Sequence, residues 1–485
     1  MAKLDHLTPS DIWKNFEKIC SIPHPSKKEK QIIDYMKSFG ESLGLETIVD
    51  EAGNVIIKKP ATPGMENRMG VILQGHLDMV PQKNSDKVHD FEKDPIEPII
   101  DGEWVKANGT TLGADNGIGA AAAMAVLEAK NLVHGPIEGL FTIDEETGMT
   151  GAFELKAGVL NGDILLNLDS EDEGELYIGC AGGVDANVTF KYRTESMPAG
   201  CQAYKLSITG LKGGHSGLDI NLGRGNANKL LLRFLKHAIK EFGIKLVSFE
   251  GGSLRNAIPR EGFAVVVVPS AKANQLADEV KKFNAIFKHE LGKAEPTLSF
   301  EIATAETPNN VMNSEDCLKI INSSYACPNG VIRMSDVMPG IVETSNNLAI
   351  MKSQDGKFTL NCLLRSSVDS AKADLGEMIS SLFELAGAEV ELTGEYPGWK
   401  PNADSAILKT MSEVYNNNWG KKPEIKVIHA GLECGILGAN YPRWDMISFG
   451  PTIRFPHSPD EKVNIPSVQK FWDFLVVTLK SIPQK

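Results

Sequence analysis

No apolar run in this 485-residue chain approaches the roughly 20 residues a membrane-spanning helix needs, and the alanine-rich stretch 119–126 is far too short. The first residues, Met1-Ala2-Lys3-Leu4-Asp5-His6, carry no apolar core of the kind a secretory signal requires. Positive charge is in deficit. Fifty Lys and Arg stand against 63 Asp and Glu, leaving a net charge of −13 and a pI near 5.4. That balance argues against nucleic acid or an anionic membrane as a partner. Cysteine is sparse: the seven, at positions 20, 180, 201, 317, 327, 362 and 434, are scattered, odd in number and form no CxxC pair. The pattern favours free thiols over a disulfide framework or a thiolate zinc site. Together these absences predict a soluble, cytoplasmic protein.

What is present is ordinary for a globular chain: 42% hydrophobic and 23% charged residues. The length suits two or three domains rather than one. Thr8-Pro9-Ser10-Asp11 signals a first helix, with Thr8 as cap and Pro9 in the first helical position. A second helix is expected over 27–43, ending at Gly44, followed by strands at 46–49 and 54–58. From 70 to 185 strands at 70–75, 137–143 and 163–168 alternate with a helix at 117–130, which implies a mostly parallel sheet with helices on its faces.

Around 186 the pattern changes to strands with one wet face, as in Val188-Thr189-Phe190-Lys191-Tyr192. A weak repeat runs through 186–395. Asn256-Ala257-Ile258 precedes a strand at 262–268 and a helix at 271–291, and Asn347-Leu348-Ala349-Ile350 precedes a strand at 357–364 and a helix at 370–387. After Pro397 come a helix at 403–416, strands near 424–428 and 445–449, and a final helix at 466–481. The expected architecture is α/β: a mixed, mostly parallel sheet flanked by helices forms a catalytic domain from residues 1–185 and 396–485. An inserted α+β lid, 186–395, interrupts it and is read as two related halves.

Five segments after strand-like runs offer metal ligands without thiolate: His76-Leu77-Asp78, Asp115 in the loop from Thr110 to Gly117, Glu145-Glu146, Asp169, and His457. Open α/β sheets gather their chemistry at such strand ends. Imidazole and carboxylate donors suit Zn²⁺, Mn²⁺ or Co²⁺ at a catalytic site, zinc foremost. Asp115 is the best bridge between two cations, one taking His76 and Asp169 and the other Glu146 and His457, a pairing the residues alone leave open. Of the adjacent carboxylates, one can bind metal while the other accepts a proton from a bridging water. Asp78 can hold the remaining N–H of His76. Taken singly, each segment has an ordinary explanation: a surface pair, a solvated acidic run, a turn or a loop histidine. The neighbouring run Glu171-Asp172-Glu173-Gly174-Glu175 is expected to be solvated.

At these segments the chain resembles the aminoacyl-histidine dipeptidases, the Xaa-His or carnosinase-type branch of the co-catalytic zinc metallopeptidases. The matching stretches include Ser21 through Ser26, His76 through Lys83, Thr110 through Gly119, Gly179 through Gly183, Gly213-Gly214-His215-Ser216-Gly217, His429 through Gly435, and His457 through Glu461. The resemblance spans nearly the whole chain; Arg454-Phe455-Pro456 departs from it. It implies that His76, Asp115, Glu146, Asp169 and His457 are metal ligands, that Glu145 is the general base and that Asp78 orients the centre. It further implies that His215 stabilises the oxyanion and that Asn256, Arg365 and, more weakly, Glu433 bind substrate. The implied activity is hydrolysis of Xaa-His dipeptides using two divalent metal ions, with the insert closing over the site about hinges near 186 and 395. A broader dipeptidase, an N-acyl amino-acid deacylase and a non-catalytic metal-dependent binding protein are the alternatives. A small peptide is the expected partner, nucleic acid and membrane are not, and a homodimer is left open.

Overall fold

The computed structural model describes residues 4–485, which divide into two compact units. Unit 1 comprises residues up to Gly179, then Pro401–Val427 and Leu432–Lys485, and unit 2 comprises Cys180–Lys400 with Ile428–Gly431.

Unit 1 is built on an eight-stranded mixed sheet. Its centre is parallel: Ile137–Thr142, Val71–His76, Ile164–Asn167 and Asp445–Ser448 lie side by side in that order. These runs are mainly apolar, and three of the four are buried along their whole length, as strands covered on both faces must be. Antiparallel strands Val55–Lys59 and Glu46–Val49 extend one side. Helix Ala114–Glu128 packs on Val71–His76 and on helix Ser10–Cys20, and its small residues, almost all buried, permit the close approach. A four-stranded satellite sheet joins Pro98–Asp101 and Trp104–Ala107 to Ile453–Arg454 and Lys462–Asn464. Through it the segment carrying His457 is registered against the one leading to Asp115. Among the described residues no helix is long and apolar enough to cross a membrane.

Unit 2 contains two βαββαβ halves. In the first, Cys201–Thr209, helix Ala227–Phe242, Lys245–Gly251, Gly262–Pro269, helix Ala273–Leu291 and Ser299–Thr304 follow one another. In the second, Gly182–Lys191 supplies the first strand, and helix Ser314–Ala326, Val342–Gln354, Lys357–Ser366, helix Asp369–Leu385 and Glu389–Tyr396 complete it. The first half is thus threaded into the second after its opening strand. Numbering the strands of each half in chain order, both sheets run 4-1-3-2, and they join where Gly251 pairs with Met351. One large apolar core serves both halves. Asn256 and Asn347 are not equivalent within them: Asn256 lies in a loop, whereas Asn347 lies inside Val342–Gln354 and donates to the Ala257 carbonyl.

Three local expectations are corrected. The first helix begins at Ser10 with Pro9, not Thr8, at its cap position and without a side-chain cap. The second begins only at Lys30, because Lys27 adopts a left-handed backbone, φ +67°, that a helix cannot continue. Glu171 to Glu175 are not a solvated run. Asp172 pairs with Arg454 at 2.6 Å, Glu173 accepts from Tyr415 and Lys470, and Glu171 is half-buried.

Candidate active site

The carboxyl ends of the parallel strands converge on one cluster in unit 1. His76 ends its strand 1% exposed. Its Nε2 lies 3.3 Å from Asp115 Oδ1 and 3.4 Å from Asp169 Oδ1. His457 Nε2 lies 3.2 Å from Asp115 Oδ2 and 3.0 Å from Glu146 Oε2. Asp115 therefore turns one oxygen toward each histidine. In three overlapping triads the possible ligand atoms all lie within 4.8 Å of one another: His76, Asp115 and Asp169; Asp115, Glu146 and His457; and His76, Glu145 and Glu146.

The backbone of this cluster is held by two buried carboxylates. Glu461, 2% exposed, accepts the N–H groups of Leu112 and Gly113 on one oxygen, at 2.7 and 3.0 Å, and those of Ala114 and Asp115 on the other, at 2.7 and 3.2 Å. Four successive backbone donors are thereby satisfied in the segment that presents Asp115 and leads into the helix. The Asp115–Asn116 peptide that follows is cis. Asp78 does the same for the other acidic pair: Oδ1 accepts from Glu145 N at 2.9 Å, and Oδ2 from Glu146 N at 3.2 Å and Ser26 Oγ at 2.8 Å. The Asp78 backbone carbonyl lies 3.0 Å from His76 Nδ1 and its carboxylate 3.4 Å away, so proton donation from Nδ1 leaves Nε2 turned to Asp115 and Asp169. Glu29, Asp78 and Asp144 form a further close acidic group, but the Asp144 oxygens are taken by the hydroxyls of Thr147 and Thr150.

So many carboxylates in one buried place repel one another, and the histidines answer that charge. Burial opposes a proton on His76, yet the charge of Asp169 and hydrogen bonding to Asp115 and Asp78 hold its pKa well above the ordinary value. Hydrogen bonds to Asp115 and Glu146 push His457 up to about 11. Burial, with repulsion from Asp115 and Glu146, pushes Asp169 up to about 7. Burial, with Asp169, Glu146 and Glu433 nearby, raises Glu145 well above the carboxylate range. Three carboxylate oxygens, Asp169 Oδ1, Glu146 Oε1 and Glu433 Oε1, are buried with no hydrogen-bond partner, the first having only the 3.4 Å ion-pair contact from His76 Nε2. Unsatisfied buried acceptors are costly, and a donor set of imidazoles and carboxylates around them fits a divalent cation. Such ions would replace the protons that the histidines otherwise gather.

The remaining expected residues lie elsewhere. His215, in unit 2, accepts on Nδ1 from the N–H groups of Gly217 and Leu218, both at 3.1 Å. Its proton is therefore on Nε2, a donor with no acceptor among the described residues; burial and the charge of Arg365 lower its pKa and so favour the neutral form. Arg365 is 5% exposed, with Nε 3.3 Å from Ser216 Oγ and Nη1 2.9 Å from Tyr396 Oη. Asn256 is exposed, and its carbonyl accepts from Ser216 N at 2.8 Å. Glu433 is in unit 1 and wholly buried. It accepts from Gln74 at 2.6 Å and Thr142 at 2.8 Å, and burial pushes it up to about 7. Sequence reasoning did not single out Glu461 or Glu171. Glu461 stands four residues after His457, and Glu171, two after Asp169, is pushed up to about 8 by burial and by Asp115 and Asp169.

Comparison with known proteins gives consistent matches. The model of peptidase family M20/M25/M40 matches residues 72–481. The chain is 50% identical over 485 residues to the cytosol non-specific dipeptidase of Escherichia coli (strain K12), covering 100% of both. It superposes on the crystal structure of aminoacylhistidine dipeptidase from Vibrio alginolyticus with a TM-score of 0.95 at 54% identity, covering 100% of this chain and 99% of that one. The aminopeptidase PepT from Bacillus cereus shares the fold, with a TM-score of 0.58 at 16% identity over 98% and 99% of the two chains.

Proposed function

The chain belongs to peptidase family M20/M25/M40, and on that premise we propose that it is a cytoplasmic metallo-dipeptidase preferring a carboxyl-terminal histidine. The observation that carries this reading is the buried cluster centred on Asp115, with unpartnered oxygens on Asp169 and Glu146 and with Glu145 beside it. His76, Asp115 and Asp169 would hold one divalent cation, and Asp115, Glu146 and His457 a second, zinc being the first choice. When bound, such a pair supplies Lewis acidity and lowers the pKa of water toward about 7.

The protein's own groups do the rest. Glu145 takes the proton of the attacking water and returns it to the leaving amine nitrogen. Asp78, through two backbone N–H groups, fixes the turn that carries Glu145 and Glu146. His215 donates its Nε2 proton to the developing oxyanion, where a well-placed donor contributes several kcal/mol in the transition state. Arg365 receives the substrate carboxylate, and Asn256 and Glu433 help define the binding region, Glu433 from behind. Unit 1 is thus the catalytic part and unit 2 the substrate-binding insert.

A second reading, a dipeptidase without strict preference, is favoured by the name of the Escherichia coli relative, which calls it non-specific. A panel of carnosine, other Xaa-His dipeptides, dipeptides lacking histidine and N-acyl amino acids, assayed with metal analysis for wild type and Glu145→Ala, separates them. The expected result is fastest turnover of Xaa-His, with metal retained and turnover lost in the variant. Equal rates across dipeptides would favour the broader reading. Turnover of N-acyl amino acids alone, or full activity of Glu145→Ala, would overturn the proposal.

A further inference from the structure

Arg365 is nearly enclosed in unit 2, yet no carboxylate pairs with it among the described residues. Its two protein partners, Ser216 Oγ at 3.3 Å and Tyr396 Oη at 2.9 Å, are neutral. Nη2 makes no hydrogen bond among the described residues. The imidazoles near this charge do not compensate it: burial, Arg365 and His215 hold His429 down at about 3, and His429 is bound to Ser345 Oγ at 2.8 Å. An enclosed cation without a counter-ion is costly unless an anion arrives with the ligand.

Tyr396 is placed beside that cation by backbone design. It ends strand Glu389–Tyr396, and its ring lies against two residues without side chains. A Cβ at Gly183 would lie 2.6 Å from the ring, and one at Gly431 would lie 3.1 Å from it. A side chain at Gly183 would displace the ring, and one at Gly431 would press on it, so the close approach depends above all on Gly183. Because the phenol oxygen accepts a hydrogen bond from Arg365 Nη1, its own O–H remains to be donated, and no acceptor among the described residues takes it. Two adjacent groups therefore offer donors, a phenol O–H and the guanidinium Nη2, that the protein leaves unused.

We propose that Tyr396 is a substrate-binding residue: flanked by Gly183 and Gly431, it joins Arg365 in receiving the carboxyl-terminal carboxylate of the dipeptide, the phenol donating to one oxygen and the guanidinium to the other. This rests on the reading of the chain as a dipeptidase in which Arg365 meets that carboxylate, and it adds the second donor. Charge-assisted donor pairs of this kind discriminate strongly against a neutral carboxamide.

The test is steady-state kinetics on Ala-His and its carboxamide, Ala-His-NH2, for the metal-loaded full chain of wild type, Tyr396→Phe and Arg365→Gln. Phenylalanine keeps the ring between the glycines, and an unchanged melting temperature verifies the fold. For Tyr396→Phe, kcat/KM on the acid should fall about 10-fold or more, mainly through KM, while the rate on the amide stays within about twofold. The acid-to-amide ratio then collapses, as it should for Arg365→Gln. A ratio unchanged in Tyr396→Phe but collapsed in Arg365→Gln would overturn the role of Tyr396 and leave the dipeptidase reading standing. Equal slowing on acid and amide would reduce Tyr396 to a structural part and overturn the proposal. A ratio unchanged in Arg365→Gln would overturn the carboxylate site altogether. No turnover of either compound by wild type would overturn the dipeptidase reading itself.

Discussion

Asp78→Asn removes one charge and almost no volume, yet the geometry gives it a large expected cost. The side chain is wholly buried, and its two oxygens receive Glu145 N at 2.9 Å, Glu146 N at 3.2 Å and Ser26 Oγ at 2.8 Å, with His76 Nδ1 at 3.4 Å. An amide keeps only one acceptor oxygen. Whichever way it is turned, one backbone N–H loses its acceptor and faces an NH2 donor instead, and no water can enter to replace it. A hydrogen bond to a charged group is worth about 1.5–3 kcal/mol, and the lost charge opposite His76 adds to this, so unit 1 should lose about 2–4 kcal/mol. Burial opposes ionisation of Asp78, but His76, the Glu145 N–H and Ser26 outweigh it and hold its pKa below the ordinary value. A carboxylate whose folded pKa is depressed stabilises above its unfolded pKa, near 3.9, and that contribution is lost as pH falls through the folded value. The gap between wild type and variant should therefore be full at pH 7, begin to narrow near pH 4 and close only below the depressed folded value. Urea unfolding of chelator-treated protein, followed by a unit 1 probe at pH 7 and through the range below pH 4, measures it. Metal affinity should fall about 10- to 100-fold, the usual loss when an orienting partner is removed. A variant within about 0.5 kcal/mol of wild type at pH 7, with unchanged metal affinity, would refute the reasoning.

Three further outcomes are expected. Glu145→Gln should retain its metal by elemental analysis while kcat drops at least about 100-fold, as for loss of a general base. Glu461→Ala removes the acceptor of four buried N–H groups at the Asp115 loop, so calorimetric titration should find metal binding weakened at least about 10-fold. His429, held near 3 against an ordinary 6.5 by burial, Arg365 and His215, stabilises unit 2 as a neutral group. That stability is present above pH 6.5 and is lost as pH falls toward 3, by up to roughly 5 kcal/mol. His429→Gln should accordingly flatten the acid limb of unit 2 stability.

The central strands of unit 1 were legible because parallel strands covered on both faces read as mainly apolar runs, and three of them, Val71–His76, Ile137–Thr142 and Ile164–Asn167, end at or just before an acidic or imidazole group. His76, Glu145, Glu146 and Asp169 come together for that reason, within a few residues of adjacent strand ends. Asp115 and His457 were harder to place, since loops carry them and the satellite sheet that registers those loops has no clear periodicity. Glu461 was not singled out because its partners are backbone N–H groups, which leave no trace in side-chain identity. Tyr396 was missed for a similar reason: its position depends on the absence of side chains at Gly183 and Gly431, far away along the chain. Glu171 was misread because its acidic neighbours suggest solvent, whereas Arg454, Tyr415 and Lys470 draw the segment against the protein.

The central claim is that Asp115 serves two cation sites at once, since it belongs to the triad with His76 and Asp169 and to the triad with Glu146 and His457. Elemental analysis of wild type, Asp169→Ala and Asp115→Ala after equilibrium dialysis against zinc tests it most directly. The account predicts two ions per chain in wild type, one in Asp169→Ala and close to none in Asp115→Ala. Two ions retained by Asp115→Ala, or fewer than two bound by wild type at saturation, would contradict it.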